Sequence, residues 1–395
     1  VNEGMSELAV LLNGFAPDRS QNAYLQQPDL QITTWAQELQ NSAPHYGSSY
    51  LFMAYFLDQF GQDVMKAVVS EQSNGIAGFD AVLSDQNLSK TFDDVFADFI
   101  IANYLNNGNI ADGQYGYESI QITPVQPDVF YRKFPIDQAT TVRQYGADYI
   151  EVQSDTSLTF EFDGSTTVPL LNNQAHSGRY QWYSNRGDDS NATLTRAIDL
   201  TSVDKATLNY WTWFDIEEDW DYAYVEVSVD EGKSWTILKA TNSTTSNPTG
   251  NAYGPGYTAF SGGWLDEVID LTPYTGQEIL LRFEYVTDDA TNGPGFAIDD
   301  VSIAEIGFFD DMETLDTAWV SEGFIRTDNT LRQRYIVQVI DLNNDSTVTK
   351  MVLDENNQGQ LSIGDENSGT QAIIVISAQA PVTTEEATYK YQLSP

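Results

Sequence analysis

The chain has 395 residues, with 18 Lys and Arg against 58 Asp and Glu, a formal net charge of -40, only 2 His and no Cys. This acidity argues against binding to nucleic acid or anionic lipid, and the absence of Cys excludes disulfides, thiol catalysis and Cys-zinc sites. The hydrophobic content of 41% still suffices for large packed cores, and no apolar run long enough to predict a membrane span occurs.

The first part of the chain, residues 1–106, carries helical patterns. Two stripes of apolar residues at helical spacing come first, one stopped by Gly14 and the other by Gly61. Their members are Met5, Leu8, Leu11 and Leu12, followed by Tyr50, Met53, Ala54 and Leu57. A further helix is predicted from Thr91 to Leu105, because Thr91 is a favourable cap and acids follow it in the first turn.

The pattern changes after the helical part. Gly, Asn, Pro and Tyr dominate residues 107–140, which is typical of a linker or an irregular wrap. From Thr141 onward, apolar and polar residues alternate between turn clusters, and no helix is predicted. The predicted strands are 149–152, 158–162, 206–214, 222–229, 278–286, 296–303, 335–340 and 372–378. Short strands at such spacing indicate β-sandwiches or jelly rolls, and the region is too long for one of them.

These patterns predict a multidomain α + all-β fold, with a helical part followed by β-sandwich or jelly-roll domains. The strands before residue 170 lack enough partners nearby, so we expect them to pair with strands near the C-terminus. The jelly roll would then be inserted into that smaller sandwich. The predicted division is a helical part at 1–106, a linker at 107–140, a small β-sandwich from 141–170 plus 325–395, a jelly roll at 171–306 and a connecting segment at 307–324.

A first motif that could carry chemistry is NEGMSE at residues 2–7. On a helix, Glu3 and Glu7 lie at i and i+4, so their carboxylates share one face and repel each other unless a cation or a positive partner lies between them. This spacing suits a metal ligand beside a second acid that orients another ligand. The alternative is a solvated acidic first turn of a helix.

A second motif is HYGSSY at residues 45–50, which leads into the apolar helix before Gly61. A simple structural interpretation is that His45 and Tyr46 cap this helix and pack against a neighbour.

Both motifs resemble, in the same order, segments of thermolysin-like zinc peptidases. In that group an upstream helix carries His-Glu-x-x-His, which supplies two zinc ligands and the general base, and a Glu on the next helix is the third ligand. The resemblance implies that Glu3 is this zinc ligand and that Glu7 hydrogen-bonds a zinc-bound His. It also implies that Tyr46, with His45 and Tyr50 as competitors, donates a hydrogen bond to the oxyanion of the tetrahedral intermediate.

One departure from this group is plain. The sequence contains no His-Glu-x-x-His, and neither His45 nor His176 is followed by Glu. If the parent is a zinc peptidase, both zinc His and the general base lie N-terminal to Val1. We therefore expect this chain alone to be inactive, with Zn²⁺ bound only together with the N-terminal part of the same peptidase. Its substrates would be proteins or peptides.

The β region from His176 to Ile303 resembles the jelly-roll domain of immune inhibitor A, a secreted bacterial metallopeptidase family. The matching segments, in order, are 176–178, 182–184, 186–189, 210–215, 217–222, 227–235, 282–288 and 295–303. The resemblance implies a secreted, extracellular or cell-surface bacterial protein. It predicts the C-terminal part of a zinc-dependent endopeptidase that hydrolyses proteins with zinc-activated water.

Several acids in this region predict a structural Ca²⁺ site. Asp299 and Asp300 lie among apolar residues of a predicted core strand, where uncompensated charge is costly. Ca²⁺ would compensate that charge, because it binds carboxylate and carbonyl oxygens. The candidate ligands are Asp299, Asp300, Asp221, Asp219 and Asp188. The alternative is that these acids are solvated loop residues.

A competing hypothesis is a non-enzymatic extracellular β-sandwich protein for adhesion, glycan binding or surface assembly. The Trp residues could stack on sugars, although Trp211, Trp213 and Trp235 alternate as core residues of a sandwich do. A His-Glu-x-x-His sequence upstream of Val1 would favour the enzyme, and its absence would favour the non-enzymatic protein.

Overall fold

The structure is a computed structural model that describes residues 2–15, 20–36, 39–314, 318–343, 345–366 and 368–395. The chain forms two compact units, one of Val1–Leu170 with Leu331–Pro395 and one of Leu171–Thr330. Helices come first and strands follow, so the predicted α + all-β fold class is confirmed. No helix in these ranges is long and apolar enough to cross a membrane.

The helices of the described residues follow the predicted stripes. They are α1 Asn2–Leu12, α2 Ser20–Leu25, α3 Ala43–Ser70, α4 Gly75–Asp85 and α5 Phe92–Leu105. Helix α5 starts with a capping box, in which the Thr91 hydroxyl accepts from the Asp94 amide and the Asp94 carboxylate accepts from the Thr91 amide. At Gly61 the backbone leaves helical geometry with φ 79°, but α3 resumes beyond it. Gly61 therefore breaks the helix without ending it.

Each predicted strand has a counterpart with similar bounds, and further strands accompany them, including long ones at Asn191–Asp199 and Ala387–Ser394. Before unit 2 they are β1 Val129–Tyr131, β2 Ile136–Val142, β3 Asp148–Ser154, β4 Leu158–Gly164 and β5 Thr167–Pro169. Those of unit 2 begin with β6 Gln181–Tyr183, β7 Asn191–Asp199, β8 Thr207–Asp215, β9 Tyr222–Ser228, β10 Thr236–Ile237 and β11 Leu265–Asp270. They continue with β12 Glu278–Val286, β13 Gly295–Ile303, β14 Phe308–Asp310, β15 Val320–Glu322 and β16 Ile325–Thr327. The remaining strands are β17 Thr330–Arg332, β18 Tyr335–Asp341, β19 Thr347–Lys350, β20 Gln358–Ile363, β21 Thr370–Ala378 and β22 Ala387–Ser394.

In the first unit, strands from before and after unit 2 pair with each other. One sheet has the order β1-β3-β21-β18-β19 and the other β2-β22-β4-β20. Strands β1 and β2 fall in the segment expected to be a linker. Most side chains of β2 are exposed, so this edge strand lacks the apolar alternation by which a strand is predicted.

The sheet β1-β3-β21-β18-β19 has two buried faces. One face carries Ile336, Ile340, Ile373 and Val375 into the core formed by the helices, while alternate residues enter the core of the sandwich. Polar contacts join the same elements, since the Tyr149 hydroxyl donates to the Ile100 carbonyl at 2.7 Å. The helical part and the small sandwich therefore share a core, and this explains the almost unbroken apolar sequences of β18 and β21.

The second unit is a sandwich of two antiparallel sheets. Their orders are β10-β9-β12-β7-β15 and β11-β8-β13-β6-β16, with β14 added to β13. The segment expected to be a connection supplies β14 and β15, which pair with different sheets. Strand β13 contains a register shift between Asp299 and Ser302, where Asp300 has φ 48°. This β-bulge directs the neighbouring acids out of the regular alternation.

Candidate functional sites

The glycine of the NEGMSE motif is a helix-packing residue. A Cβ atom at Gly4 would lie 2.5 Å from the Ser49 carbonyl oxygen and 2.9 Å from Cγ of Met53. Only a glycine lets α1 approach the backbone of α3 this closely. Glu3 and Glu7 flank this contact and are half-buried, so the packing of α1 on α3 fixes the stretch of helix from which both carboxylates project.

Gly47 in the second motif has the same role toward α2. A Cβ atom there would overlap the backbone carbonyl of Ser20, so α2 also lies directly against α3. The glycines of both motifs thus bring three helices together at the N-terminal half of α3.

His45 is buried at the start of α3, with 6% of its surface exposed. Its Nδ1 lies 3.0 Å from the Thr34 carbonyl oxygen, and because a carbonyl only accepts, Nδ1 carries the proton. Burial lowers the pKa of His45, which favours the neutral ring, so its Nε2 presents a lone pair. In this state His45 can accept a hydrogen bond at Nε2 but cannot donate one there.

Tyr46 follows on the next position and is only half-buried. Its ring meets the Trp35 ring edge to face, with centroids 4.9 Å apart and planes at 83°. Tyr50 differs, because it is 1% exposed and its hydroxyl is buried without a hydrogen-bond partner among the described residues. Burial, with smaller effects from Glu7 and Asp58, raises the pKa of Tyr50 to about 12. Of the two tyrosines, Tyr46 is the one whose side chain reaches the surface.

The described part of the chain does not assemble a zinc site around Glu3. Among the described residues, one group of three acidic side chains has ligand atoms close enough to share an ion. It consists of Glu217, Asp221 and Asp288. Glu3, Glu7 and His45 are not members of that group. The described residues thus bring together fewer than three such side chains around Glu3, which is short of the three protein ligands of a catalytic zinc.

The Glu217–Asp221–Asp288 cluster lies at one end of the second unit. Its ligand oxygens are within 4.8 Å of one another, and Asp221 is 1% exposed. Asp221 accepts from the Asp288 amide at 3.0 Å and from the Tyr285 hydroxyl at 3.2 Å. One carboxylate oxygen of Glu217 is buried with no hydrogen-bond partner among the described residues. A purely carboxylate donor set of this kind fits a hard cation such as Ca²⁺.

Charge repulsion adds to burial in this cluster. Burial first, and then the charges of Asp288, Asp221 and Asp188, raises the pKa of Glu217 to about 7. Burial also dominates the rise in the pKa of Asp221 to about 7, partly offset by its hydrogen bonds. Asp188 itself accepts from the Asn292 side-chain amide at 2.7 Å. Among the predicted calcium ligands, Asp221 and Asp188 therefore belong to this end of the sandwich.

Glu217 and Asp288, the partners of Asp221, are not among the ligands predicted from the sequence. Strands β9 and β12 are antiparallel neighbours in which Tyr222 pairs with Val286, so the residues just before β9 and just after β12 meet. Recognising that pairing would have found Asp288. Asp219 is in the same loop, but it is not in the cluster, and its carboxylate accepts from the Ser246 hydroxyl at 3.4 Å.

Asp299 and Asp300 are not members of this cluster, contrary to the predicted shared site. Asp299 is fully buried and accepts from the Ser177 amide at 3.2 Å, while Asp300 accepts from the Ser177 hydroxyl at 2.8 Å. His176 Nδ1 lies 2.6 Å from Asp300, and the His176 ring stacks on Trp211 at 3.8 Å. These acids fasten the segment around His176 to β13, and their hydrogen bonds offset part of the cost of burying them.

Comparisons with known proteins concern mainly the β region. The sequence model of the family described as "Immune inhibitor A-like, MAM domain" matches residues 145–329. The chain is 33% identical over 126 residues to Pre-pro-metalloprotease PrtV of Vibrio cholerae, covering 32% of this chain and 13% of that protein. It is 28% identical over 162 residues to Immune inhibitor A of Bacillus thuringiensis subsp. alesti, covering 40% and 22%. Bacillopeptidase F of Bacillus subtilis is 28% identical over 159 residues, covering 39% and 10%.

These matches confirm the resemblance of the β region to immune inhibitor A. The matched parts make up only 22% or less of the length of these curated relatives. The α-helices, with Glu3 and Tyr46, lie outside the residues that match the family.

Proposed function

We propose that this chain is the C-terminal part of a secreted, zinc-dependent bacterial endopeptidase resembling immune inhibitor A, and that α1 supplies Glu3 as one zinc ligand. The observation that supports this best is the close packing of α1 on α3 at Gly4, which joins the helices of Glu3 and Tyr46. A relative named as a metalloprotease adds support. Proteins or peptides would be the substrates.

In this proposal the N-terminal part of the same peptidase supplies both zinc His and the general base. A bound zinc would supply an activated water and polarise the substrate carbonyl. The contribution of this chain would be to hold Glu3 and Glu7 on one face of α1 at a fixed distance from α3.

Tyr46 is the residue of this chain best suited to donate to the oxyanion. The Nδ1 proton of His45 is committed to the Thr34 carbonyl, and its Nε2 can only accept while the ring is neutral. Tyr50 is buried. Tyr46 is half-buried, so its phenol can contact a bound substrate. An oxyanion donor must be accessible to the substrate in this way.

The test is cleavage of casein by the full-length parent protein with and without a zinc chelator. We expect cleavage that the chelator abolishes and added zinc restores, and no cleavage by this chain alone. A parent protein that cleaves casein equally well in chelator, or does not cleave it, would contradict the proposed activity.

We also propose that the jelly roll, as the second unit, holds a structural Ca²⁺ at Glu217, Asp221 and Asp288, with Asp188 nearby. Three carboxylates at one place repel each other, and a bound divalent cation removes that repulsion. The buried unpartnered oxygen of Glu217 would gain a ligand in this way.

This site predicts a pH dependence of stability. Because the folded protein holds protons on Glu217 and Asp221 up to about pH 7, whereas unfolded carboxyls lose them near pH 4, folding binds protons in this range. In chelator, we expect the melting temperature to fall as the pH rises through this interval. Added Ca²⁺ should raise it again, most strongly at the upper end, because the cation stabilises the ionised carboxylates.

The matched variant is Asp221→Asn, measured by differential scanning calorimetry at both ends of that pH range. Other buried acids contribute to the pH slope, so the decisive quantity is the increment due to Ca²⁺. That increment should disappear in Asp221→Asn, and an equal increment in both proteins would place the Ca²⁺ elsewhere.

A second candidate function is a non-enzymatic extracellular module for adhesion, glycan binding or surface assembly. It is favoured by exposed aromatic side chains of the second unit, Tyr253 at 73% and Phe260 at 61% exposure, since exposed rings are suited to binding partners. An upstream sequence without His-Glu-x-x-His, together with binding to a glycan array lost in Tyr253→Ala, would favour this function over the peptidase.

A further inference from the structure

Trp35 contacts both residues that open the second motif. Its ring meets Tyr46 edge to face at 4.9 Å and lies 5.4 Å from the His45 ring, tilted by 40°. The residue before it, Thr34, accepts the His45 Nδ1 hydrogen bond at 3.0 Å. Two consecutive residues of the segment before α3 therefore hold the side chains of both His45 and Tyr46.

Packing against Trp35 restricts the orientation of the Tyr46 ring. Tyr46 is half-buried, so part of its side chain is accessible to a ligand. An edge-to-face pair of aromatic rings has a preferred geometry, so Trp35 restricts the directions in which the Tyr46 hydroxyl can point.

The segment that carries Trp35 is itself anchored to the β-sandwich of the same unit. Gln31 is 5% exposed, and its side-chain amide donates to the Thr383 carbonyl at 3.0 Å. Further hydrogen bonds run from the Ile32 amide to the Tyr145 carbonyl and from the Ala147 amide to the Pro28 carbonyl, at 3.4 and 3.0 Å. Trp35 thus lies four residues after the buried Gln31, and this anchoring gives it a defined position at the start of α3.

We propose that Trp35 is a positioning residue for catalysis, which fixes the Tyr46 ring so that its hydroxyl is preorganised toward the oxyanion. The inference rests on the proposed function, because it assigns a purpose to the donor of Tyr46. Preorganised donors need no reorientation during the reaction, and misplacing such a donor lowers the rate of the chemical step rather than substrate binding.

The first experiment uses this chain and does not depend on activity. 3-Fluorotyrosine is placed at position 46 of this chain. Its ¹⁹F resonance is then compared between the chain without further substitution and the variants Trp35→Phe and Trp35→Leu. We expect a dispersed resonance that moves to the free fluorotyrosine position in Trp35→Leu and stays partly dispersed in Trp35→Phe. Thermal melts followed by circular dichroism verify that both variants fold. The control is Phe309→Leu, an aromatic-to-leucine change at a position that is 63% exposed, which should leave the melt unchanged. An unchanged resonance in folded Trp35→Leu overturns the inference.

The second experiment uses the full-length peptidase. We expect Tyr46→Phe to lower kcat by about 10²–10³, and Trp35→Leu to lower kcat less, with KM unchanged and with partial recovery in Trp35→Phe. The double variant Trp35→Leu/Tyr46→Phe should be no slower than Tyr46→Phe alone, because Trp35 acts through Tyr46.

The outcomes separate the inference from the proposed function. Three outcomes would overturn the positioning role of Trp35 only. They are a lower kcat in Tyr46→Phe without a lower kcat in Trp35→Leu, additive losses of kcat in the double variant, and an effect of Trp35→Leu on KM alone. An unchanged kcat in Tyr46→Phe would overturn the oxyanion assignment and, with it, the catalytic role of Trp35. Absence of chelator-sensitive cleavage in the parent protein would overturn both.

Discussion

Replacing Phe99 with alanine is expected to lower the free energy of unfolding of the helix-containing unit by about 3–5 kcal/mol. Phe99 is fully buried in α5, and its ring contacts those of Phe52, Tyr55 and Tyr24 at 5.3–6.2 Å. Removing the ring leaves a cavity between several rigid elements that cannot close around it, so both the lost burial and the cavity contribute.

The measurement is chemical denaturation followed by circular dichroism. The matched control is Phe15→Ala, at a position that is 69% exposed, where we expect a change below about 0.5 kcal/mol. Since helices and sheet share a core, the helical signal and a sheet signal of this unit should be lost together in Phe99→Ala. Equal effects at the two positions would contradict the packing described for α5.

Under the proposed function, Glu3→Gln in the full-length parent protein is expected to abolish both zinc retention and casein cleavage. The amide keeps the size of the side chain but loses the negative charge that a zinc ligand provides. Glu3 is half-buried beside the Gly4 contact, so we expect α1 to stay folded. Zinc content after dialysis, measured by atomic absorption, and the rate of casein cleavage test this prediction.

Glu7→Gln is the matched comparison on the same helix face. As a residue that orients a zinc-bound His rather than a ligand, it should cost about 10–100-fold in metal affinity or activity, less than Glu3→Gln. An active, zinc-containing Glu3→Gln protein, or a larger effect at Glu7 than at Glu3, would contradict the assigned roles.

The helices were predictable because their apolar stripes and caps are local signals. The Thr91 cap and the stripe that begins at Tyr50 correspond to helices in the structure. Strands with one buried face were also predictable, and β12 has the predicted bounds Glu278–Val286. Edge strand β2 was not, since its exposed side chains follow no alternation. The Gly61 break shows that packing can carry a helix past a residue that would stop it in isolation.

The candidate calcium site shows where sequence patterns reach their limit. Asp299 and Asp300 interrupt an apolar strand and were therefore predicted as ligands, but they lie at a β-bulge, contact Ser177 and are not members of the cluster that contains Asp221. Asp221 and Asp288 are 67 residues apart and meet only through the pairing of β9 with β12. A contact of this kind depends on the order of strands in the sheet, so it cannot be predicted from the residues around either acid.

The doubly buried sheet of the first unit also determines when the protein can fold. Strands β18 and β21, which complete the surface under the helices, are encoded between residues 335 and 378, near the end of the chain. During synthesis, the helical segment therefore emerges long before the strands that cover its apolar face, and loop closure over this separation is slow. A chain that lacks β18 and β21 leaves that face uncovered, and we expect it to be more sensitive to proteases than a chain that contains both strands.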